Sequence, residues 1–276
     1  MISHHLFRRS WLALSLTLIV SIPYAQDNKQ VSNFQPESGQ GGKDVIWVPT
    51  PQVLVDKMLD MAKVTSADYV MDLGSGDGRL VISAAKRGAN AIGIEYNQEM
   101  VELSKQNAVK EKVGNKAKFI QADLFKADLS KATVITLFLL TDLNLRLRPQ
   151  LLELRPGTRI VSNTFSMEEW EPDETVILKE DCNSWCKAYL WIIPAKAGGN
   201  WKLDQGDLIL TQDFQMLSGK LKNGSKSYDI SDGKLSGDMI NFKANGEDYS
   251  GIVAGNTIQG IRIKNGISQK WSASRM

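Results

Sequence analysis

The sequence predicts an α/β fold: a mostly parallel sheet covered by helices on both faces, followed by a small antiparallel β domain. Three observations predict it. Between Tyr69 and Asn163, short apolar runs alternate with helix-like stretches, which is the order of a parallel sheet with crossover helices. The first apolar run ends in a turn with glycines at 74, 76 and 78, where a ligand can approach the backbone closely. From Gly198 onward, turn signals recur every 8 to 12 residues or so. They include Asn223-Gly224, Asp232-Gly233, Asn245-Gly246 and Asn265-Gly266.

The chain opens with a basic pair, Arg8 and Arg9, before the apolar run Trp11 to Ile22, with small Ala25 as a cleavage position and no acid before Asp27. Residues 1–25 therefore read as a secretory signal peptide, too short for a comfortable transmembrane helix. Pro23 sits where a small residue is preferred, which leaves an uncleaved anchor open, with an organelle-targeting peptide as a weaker third choice. No Cys lies near the cleavage region, which argues against a lipoprotein. Arg8 and Arg9 before the apolar run place the rest of the chain on the far side of a membrane, exported or periplasmic. Residues 26–43 are polar and read as a flexible linker.

Residues 44–197 then carry the α/β pattern. Thr50 is a candidate N-cap with Pro51 at the first helical position; Leu54, Met58 and Met61 share a face, beside Val55 and Leu59. Strands are expected over Tyr69–Leu73, Ala91–Glu95, Ala117–Gln121, Thr133–Leu140 and Thr158–Asn163. The intervening helices are expected over Arg79–Arg87 and from about Gln98 to Lys112 with Asn97 as cap. A further helical segment, capped by Asp142, puts Leu143, Leu147, Leu151 and Leu154 on one face. Pro149 either kinks it or starts a second helix. Thr175–Glu180 and Ala188–Ile193 read as a hairpin with its tip at Asn183-Ser184-Trp185.

Cys182 and Cys186 flank that tip and are the only cysteines. In an exported chain this pair predicts a disulfide, and in a reducing compartment two free thiols. It makes a poor metal site, because the only histidines are His4 and His5; no metal is expected. Residues 198–276 hold short alternating segments, among them Leu208–Leu210, Met239–Phe242 and Tyr249–Val253, as in an antiparallel meander or small barrel. A loose Gly-x-x-x-x-Gly repeat runs through them, and they hold no catalytic constellation. With 33 basic and 31 acidic residues the net charge is +2, so nothing in the composition advertises nucleic-acid binding.

The chemistry concentrates in Asp72-Leu73-Gly74-Ser75-Gly76-Asp77-Gly78-Arg79. An acid two residues ahead of the first glycine suits a ligand with an ammonium and hydroxyls better than one with phosphates. This stretch resembles motif I of the class I S-adenosylmethionine (SAM) methyltransferases. Glu95 closes the second strand, about 20 residues past the turn, where Rossmann-like folds bind the ribose hydroxyls. Asp123 follows the third strand, where the family faces the adenine amino group. A lone acid after a strand is usually a solvated strand end; three in register are harder to dismiss. The resemblance implies a Rossmann-like fold with an antiparallel terminal hairpin, SAM as cofactor, and a cofactor site of Thr50, Asp72, Gly74, Ser75, Gly76, Asp77, Gly78, Glu95, Asp123 and Leu124.

A narrower resemblance rests on Trp47–Pro51, Asp123–Phe125, Phe138–Arg146 and Val161–Phe165. Together with motif I, these are similar to the small protein-lysine methyltransferases related to the ATP synthase c-subunit lysine methyltransferase. The acceptor implied is a protein lysine. A small-molecule acceptor shares every cofactor residue, and a non-catalytic SAM- or nucleoside-binding protein acting through its β domain is the remaining rival. Leu140-Thr141-Asp142-Leu143 lacks the Asn-Pro-Pro-Tyr pattern of adenine and amide methyltransferases, so no nucleic acid is expected as partner. Asp142, Asn144, Asn163 and Trp170, just past the fourth and fifth strands, are the candidates for the acceptor mouth, each with capping or loop duty as its plain reading.

Overall fold

Residues 1–2, 34–204 and 206–276 are described by the computed structural model. The expected signal peptide lies outside the described residues except for its first two. Among the described residues no helix is long and apolar enough to cross a membrane. The chain divides into Met1–Val31 and Ser32–Met276, and the strands and helices named below all belong to the second unit.

Five strands pair in parallel: β1 (Tyr69–Leu73), β2 (Asn90–Glu95), β3 (Ala117–Gln121), β4 (Val134–Leu137) and β5 (Arg159–Asn163). The hairpin of β6 (Glu174–Ile177) and β7 (Lys187–Ile192) adds antiparallel to β5, giving the order β3-β2-β1-β4-β5-β7-β6. The chain runs outward from β1 through β2 to β3, then crosses back to β4. Connections therefore leave β1 and β4 in opposite directions, which opens a crevice at their carboxyl ends.

The strands are buried on both faces because their side chains alternate between two cores. Val70, Val134 and Val161 pack with α1 (Gln52–Met61), α2 (Arg79–Lys86) and α3 (Gln98–Lys110). Their neighbours Met71, Ile135 and Ile160 pack on the other side with Leu147 and Leu151 of α4 (Thr141–Leu151). Each fully buried Val, Leu or Ile contributes roughly 1.5–3 kcal/mol by leaving water. Asn97 caps α3 as its position predicts, its side chain accepting from the N–H groups of Glu99 and Met100.

Four local expectations are corrected. The N-cap of α1 is Pro51, not Thr50; the Thr50 hydroxyl accepts from Asn163 instead. The fourth strand stops at Leu137, and Phe138 to Leu140 turn away from the sheet toward α4, whose N-cap is Leu140 and not Asp142. Pro149 lies within the last turn of α4, so no second helix starts there. Part of the expected linker is tied down: Gly39 N–H donates to the Trp47 carbonyl, and Trp47 N–H to that of Gln40.

The remaining strands form one antiparallel meander. They are β8 (Gly199–Leu203), β9 (Gly206–Asp213), β10 (Met216–Asn223), β11 (Lys226–Asp229), β12 (Ser231–Ser236), β13 (Met239–Ala244), β14 (Glu247–Ala254), β15 (Thr257–Lys264) and β16 (Ile267–Arg275). β11 and β12 follow each other along one edge of β10, separated only by Ile230, and act as one broken strand. β16 pairs with β8, and β9 with β10, so the sheet closes into a barrel without a free edge. Inward residues such as Trp201, Leu208, Leu235, Ile240, Phe242 and Ile258 fill it.

Ring stacking and polar contacts join barrel and parallel sheet. Trp170 stacks on Phe214 at 5.6 Å between ring centres and donates its indole N–H to Gln215 at 2.9 Å. Gln215 in turn donates to the Glu171 carbonyl. Lys234 pairs with Asp173 at 2.9 Å, and Ala195 N–H donates to the Gly237 carbonyl.

Candidate functional site

Carboxyl ends of β1, β2, β3 and β4 surround one cleft, and the turn after β1 forms its floor. Gly74 and Ser75 donate backbone N–H groups to the Ile94 carbonyl, folding the turn against β2. Gly74, Gly76 and Gly78 have φ of 83°, 53° and 84°, the left-handed region that suits glycine. At Gly76 space matters as well: a Cβ there would meet Trp47 Nε1 at 2.5 Å. Gly78 does not line the cleft; it starts α2, and a Cβ would run into Phe119 and Ser104.

Asp72 lies at the bottom, 3% exposed. Its carboxylate accepts from the Thr136 hydroxyl at 2.6 Å. Burial pushes its carboxyl up to about 7; the Thr136 bond opposes the rise, and the charges of Glu95 and Asp77 add to it. A buried acid held so near neutrality is poised to ionise beside a cationic ligand group. Ser75 Oγ, also buried, has no hydrogen-bond partner among the described residues, and a polar ligand group in the cleft would satisfy it.

Glu95 is held by the Gly76 N–H on one carboxylate oxygen and the Asn97 N–H on the other. Asp123 accepts from the Phe125 N–H and pairs with Lys43 at 2.9 Å. The Lys43 bond, chiefly, holds the Asp123 carboxyl below the usual range. Lys43 also lies over the Tyr96 ring at 4.7 Å. Asp77 is taken up by Arg79, whose guanidinium also donates to the Thr50 carbonyl.

Thr50, Asp72, Gly74, Ser75, Gly76, Asp77, Glu95, Asp123 and Leu124 therefore meet in one cleft, which Lys43, Trp47, Tyr96, Phe138 and Leu139 also line. The orphaned Ser75 hydroxyl, the near-neutral Asp72 and the glycine floor fit a ligand with an ammonium at one end and hydroxyls further along. Sequence reasoning does not single out the five additional residues, because their role depends on which segments fold together. Trp47, Phe138 and Leu139 stand within the stretches that resemble the lysine methyltransferases, and that is the only signal available for them.

On the acceptor side the sequence-based assignment is largely corrected. Trp170 is fully buried between sheet and barrel and does not reach the cleft. Asn144 is fully buried too, donating toward Ser162 Oγ and the carbonyls of Phe165 and Ser166. Asn163, also buried, ties the end of β5 to Thr50. These two brace the walls of the cleft without lining it. Asp142 is exposed in the first turn of α4 and is not among the lining residues. Cys182 and Cys186 form a disulfide. Among the described residues no group of three metal-ligating side chains comes together.

Comparison with known proteins agrees with this geometry. The family model of the ANTKMT methyltransferase domain matches residues 72–174. A protein-lysine N-methyltransferase of Saccharolobus islandicus is 45% identical over 152 residues, covering 54% of this chain and 94% of the relative. The human ATP synthase c-subunit lysine N-methyltransferase is 34% identical over 128 residues, 46% of this chain and 54% of that protein, so the match spans about half of this second relative. Among solved structures, that of an RNA methyltransferase from Salinibacter ruber in complex with S-adenosyl-L-homocysteine is 47% identical. It has a TM-score of 0.51 and covers 54% of this chain and 95% of that one.

Proposed function

This chain belongs to the SAM-dependent methyltransferases, in the family of the Saccharolobus islandicus protein-lysine N-methyltransferase, and we propose that it methylates the side-chain amine of a protein lysine. The observation that carries methyl transfer is the convergence of Asp72, Ser75, Glu95 and Asp123 on one cleft. The lysine acceptor is supported by the likeness to nearly the whole length of the Saccharolobus relative.

Asp72 would take the ammonium of the cofactor's amino-acid part, and Glu95 the ribose hydroxyls. Asp123 would meet the adenine edge, with Lys43 and Tyr96 closing that side. Bound there, SAM would supply a methyl group on a sulfonium for transfer to the acceptor nitrogen, whose lone pair would replace the C–S bond while its own proton passed to solvent. With the leaving group already positive, the chain's main task is alignment and exclusion of water. Phe138, Leu139 and Leu143 give the cleft an apolar wall, in which a lysine amine loses hydration and more readily its proton.

Incubating the purified chain with methyl-labelled SAM and cell lysate tests the reading. Label in protein that appears as methyl-lysine on hydrolysis is the expected result. Label that nuclease removes would instead favour RNA, the second reading, which the name of the Salinibacter relative supports. Label in small solutes would favour a small-molecule acceptor. We also propose that the chain works outside the cytoplasm, a location that its Cys182–Cys186 disulfide supports. A reporter active only outside the cytoplasm, fused to Met276, would stay silent if it does not.

A further inference from the structure

Three aromatic side chains from three separate segments meet where the cleft opens. Phe138 directly follows β4, Phe165 comes two residues after β5, and Trp185 stands in the loop between β6 and β7. The topology explains the meeting. β4 and β5 are parallel, so their carboxyl ends lie together. β7 runs antiparallel to β5, with Ala188 opposite Asn163, so the loop entering β7 arrives at that same end. The ring centres of Phe138 and Phe165 are 6.1 Å apart, those of Phe138 and Trp185 5.6 Å, and those of Phe165 and Trp185 5.9 Å. Phe138 also lines the cofactor cleft. Trp185 is 39% exposed and Leu140 47%. The cluster thus runs from the cleft to the surface.

The segments that carry Phe165 and Trp185 are braced. The Phe165 carbonyl accepts from Ser162 Oγ at 2.8 Å and from Asn144 at 3.2 Å. Trp185 sits in a loop of five residues closed by the Cys182–Cys186 disulfide. The Cys186 carbonyl accepts from the Leu178 N–H. Trp185 and Asp181 have φ of 56° and 57°, left-handed values that a bulky residue adopts only when its surroundings hold it there. A short covalent ring around Trp185 is such a constraint.

We propose that Phe138, Phe165 and Trp185 form the wall along which the acceptor lysine reaches the cofactor, with the disulfide holding Trp185 in that wall. The inference rests on the methyltransferase reading above. The faces of these rings pack well against methylenes. Leu140, two residues past Phe138, is exposed as well. A four-carbon stem ending in an amine matches a wall that is apolar along its length and leads to a methyl donor. Asn144, a mouth candidate by its place in the sequence, acts here through Phe165 and is a positioning residue.

The test uses the full chain, oxidised, with ¹⁵N-labelled tryptophans and saturating S-adenosylhomocysteine. The Trp185 indole signal is assigned by its loss in Trp185→Phe. n-Butylamine, a lysine side chain without its backbone, is titrated in. The expected result is a saturable shift of the Trp185 signal. The shift should require about tenfold more amine, a loss of about 1.4 kcal/mol, in Cys182→Ser/Cys186→Ser or after dithiothreitol reduces the disulfide to two thiols. S-adenosylhomocysteine affinity should stay within about twofold, as a wall contacting only the acceptor requires. A Trp185 signal unmoved by butylamine in the saturated wild type overturns the proposal, and needs no variant to fold. A shift caused by an oligoadenylate RNA and not by the amine overturns it in favour of a nucleic-acid acceptor. Butylamine affinity unchanged by loss of the disulfide overturns the role given to Cys182 and Cys186. Failure of the wild type to bind S-adenosylhomocysteine is a separate result: it removes the methyltransferase reading and this inference with it.

Discussion

Asp72 concentrates the energetics of the cleft in one carboxyl group. Its folded value near 7 stands above the ordinary 3.8. An acid raised in this way costs the fold nothing while both states are protonated. The cost appears as pH rises above about 4 and is complete above about 7, so stability falls across that window. Asp72→Asn should therefore flatten the pH dependence of urea unfolding of the ligand-free protein between pH 4 and 7, by a few kcal/mol at most; a slope unchanged from wild type would contradict the assignment. A cationic ligand group draws the same carboxyl into its charged form. Binding of S-adenosylhomocysteine below pH 7 should then release a proton, read calorimetrically in buffers of different ionisation enthalpy, and affinity should rise with pH until about 7. At Gly76 the argument is steric: Gly76→Ala puts a methyl group against Trp47 at a φ of 53°. Cofactor affinity should fall at least tenfold while circular dichroism stays that of the wild type. Asp72, Glu95 and Asp123 were legible in the sequence because each stands at or just beyond the end of an apolar strand. Thr136, which donates its hydroxyl to Asp72 from behind the cleft, was not: an interior strand residue carries no mark of which neighbour it faces.

Among the elements, α4 and the segment after β5 show why the acceptor side was harder to read. Polar residues just past a strand can face a ligand or cap and brace a loop, and sequence position alone does not separate the two. Asn144 and Asn163 took the second course because the α4 helix packs its Asn144 face onto the end of β5, where three oxygen atoms receive the amide donor. Asn144→Ala should cost about 1–3 kcal/mol, since buried carbonyls lose their donor. Asp142→Ala, at an exposed position in the first turn, should cost about 0.3–1 kcal/mol through the helix dipole alone. Urea midpoints of the two variants check the order, and reversal of that order would mean that the bracing role is misassigned. The strands of the parallel sheet were legible to within a few residues because short apolar runs bounded by turn signals mark them. Their ends were not: Phe138 to Leu140 continue the apolar run of β4, yet leave the sheet, and Phe138 and Leu139 line the cleft.

At the scale of the molecule, the barrel closes on itself and still shares a core with the parallel sheet. Phe214, at the turn between β9 and β10, packs into the face that α4 covers. Trp170 lies between Phe214 and Trp191, at 5.6 Å and 6.0 Å from their centres. Its indole N–H and backbone carbonyl are both used, the first toward Gln215 and the second by the Trp191 indole. The sequence offered Trp170 as a mouth residue because a tryptophan in a loop after β5 is near the cleft along the chain. The barrel, whose docking no local pattern announces, buries it instead. A shared core makes separate unfolding of the two sheets costly, since either would expose these rings. The wild type should therefore melt in a single calorimetric transition. Trp170→Ala removes a fully buried ring and leaves Gln215 without its donor, a loss of about 3–5 kcal/mol. The expected outcome is a lowered melting temperature with the transition split in two, as the barrel and the parallel sheet lose the contact that couples them, while Gln215→Ala lowers stability less. Two transitions already present in the wild type, or a Trp170→Ala variant that melts like it, would show that the barrel is held elsewhere.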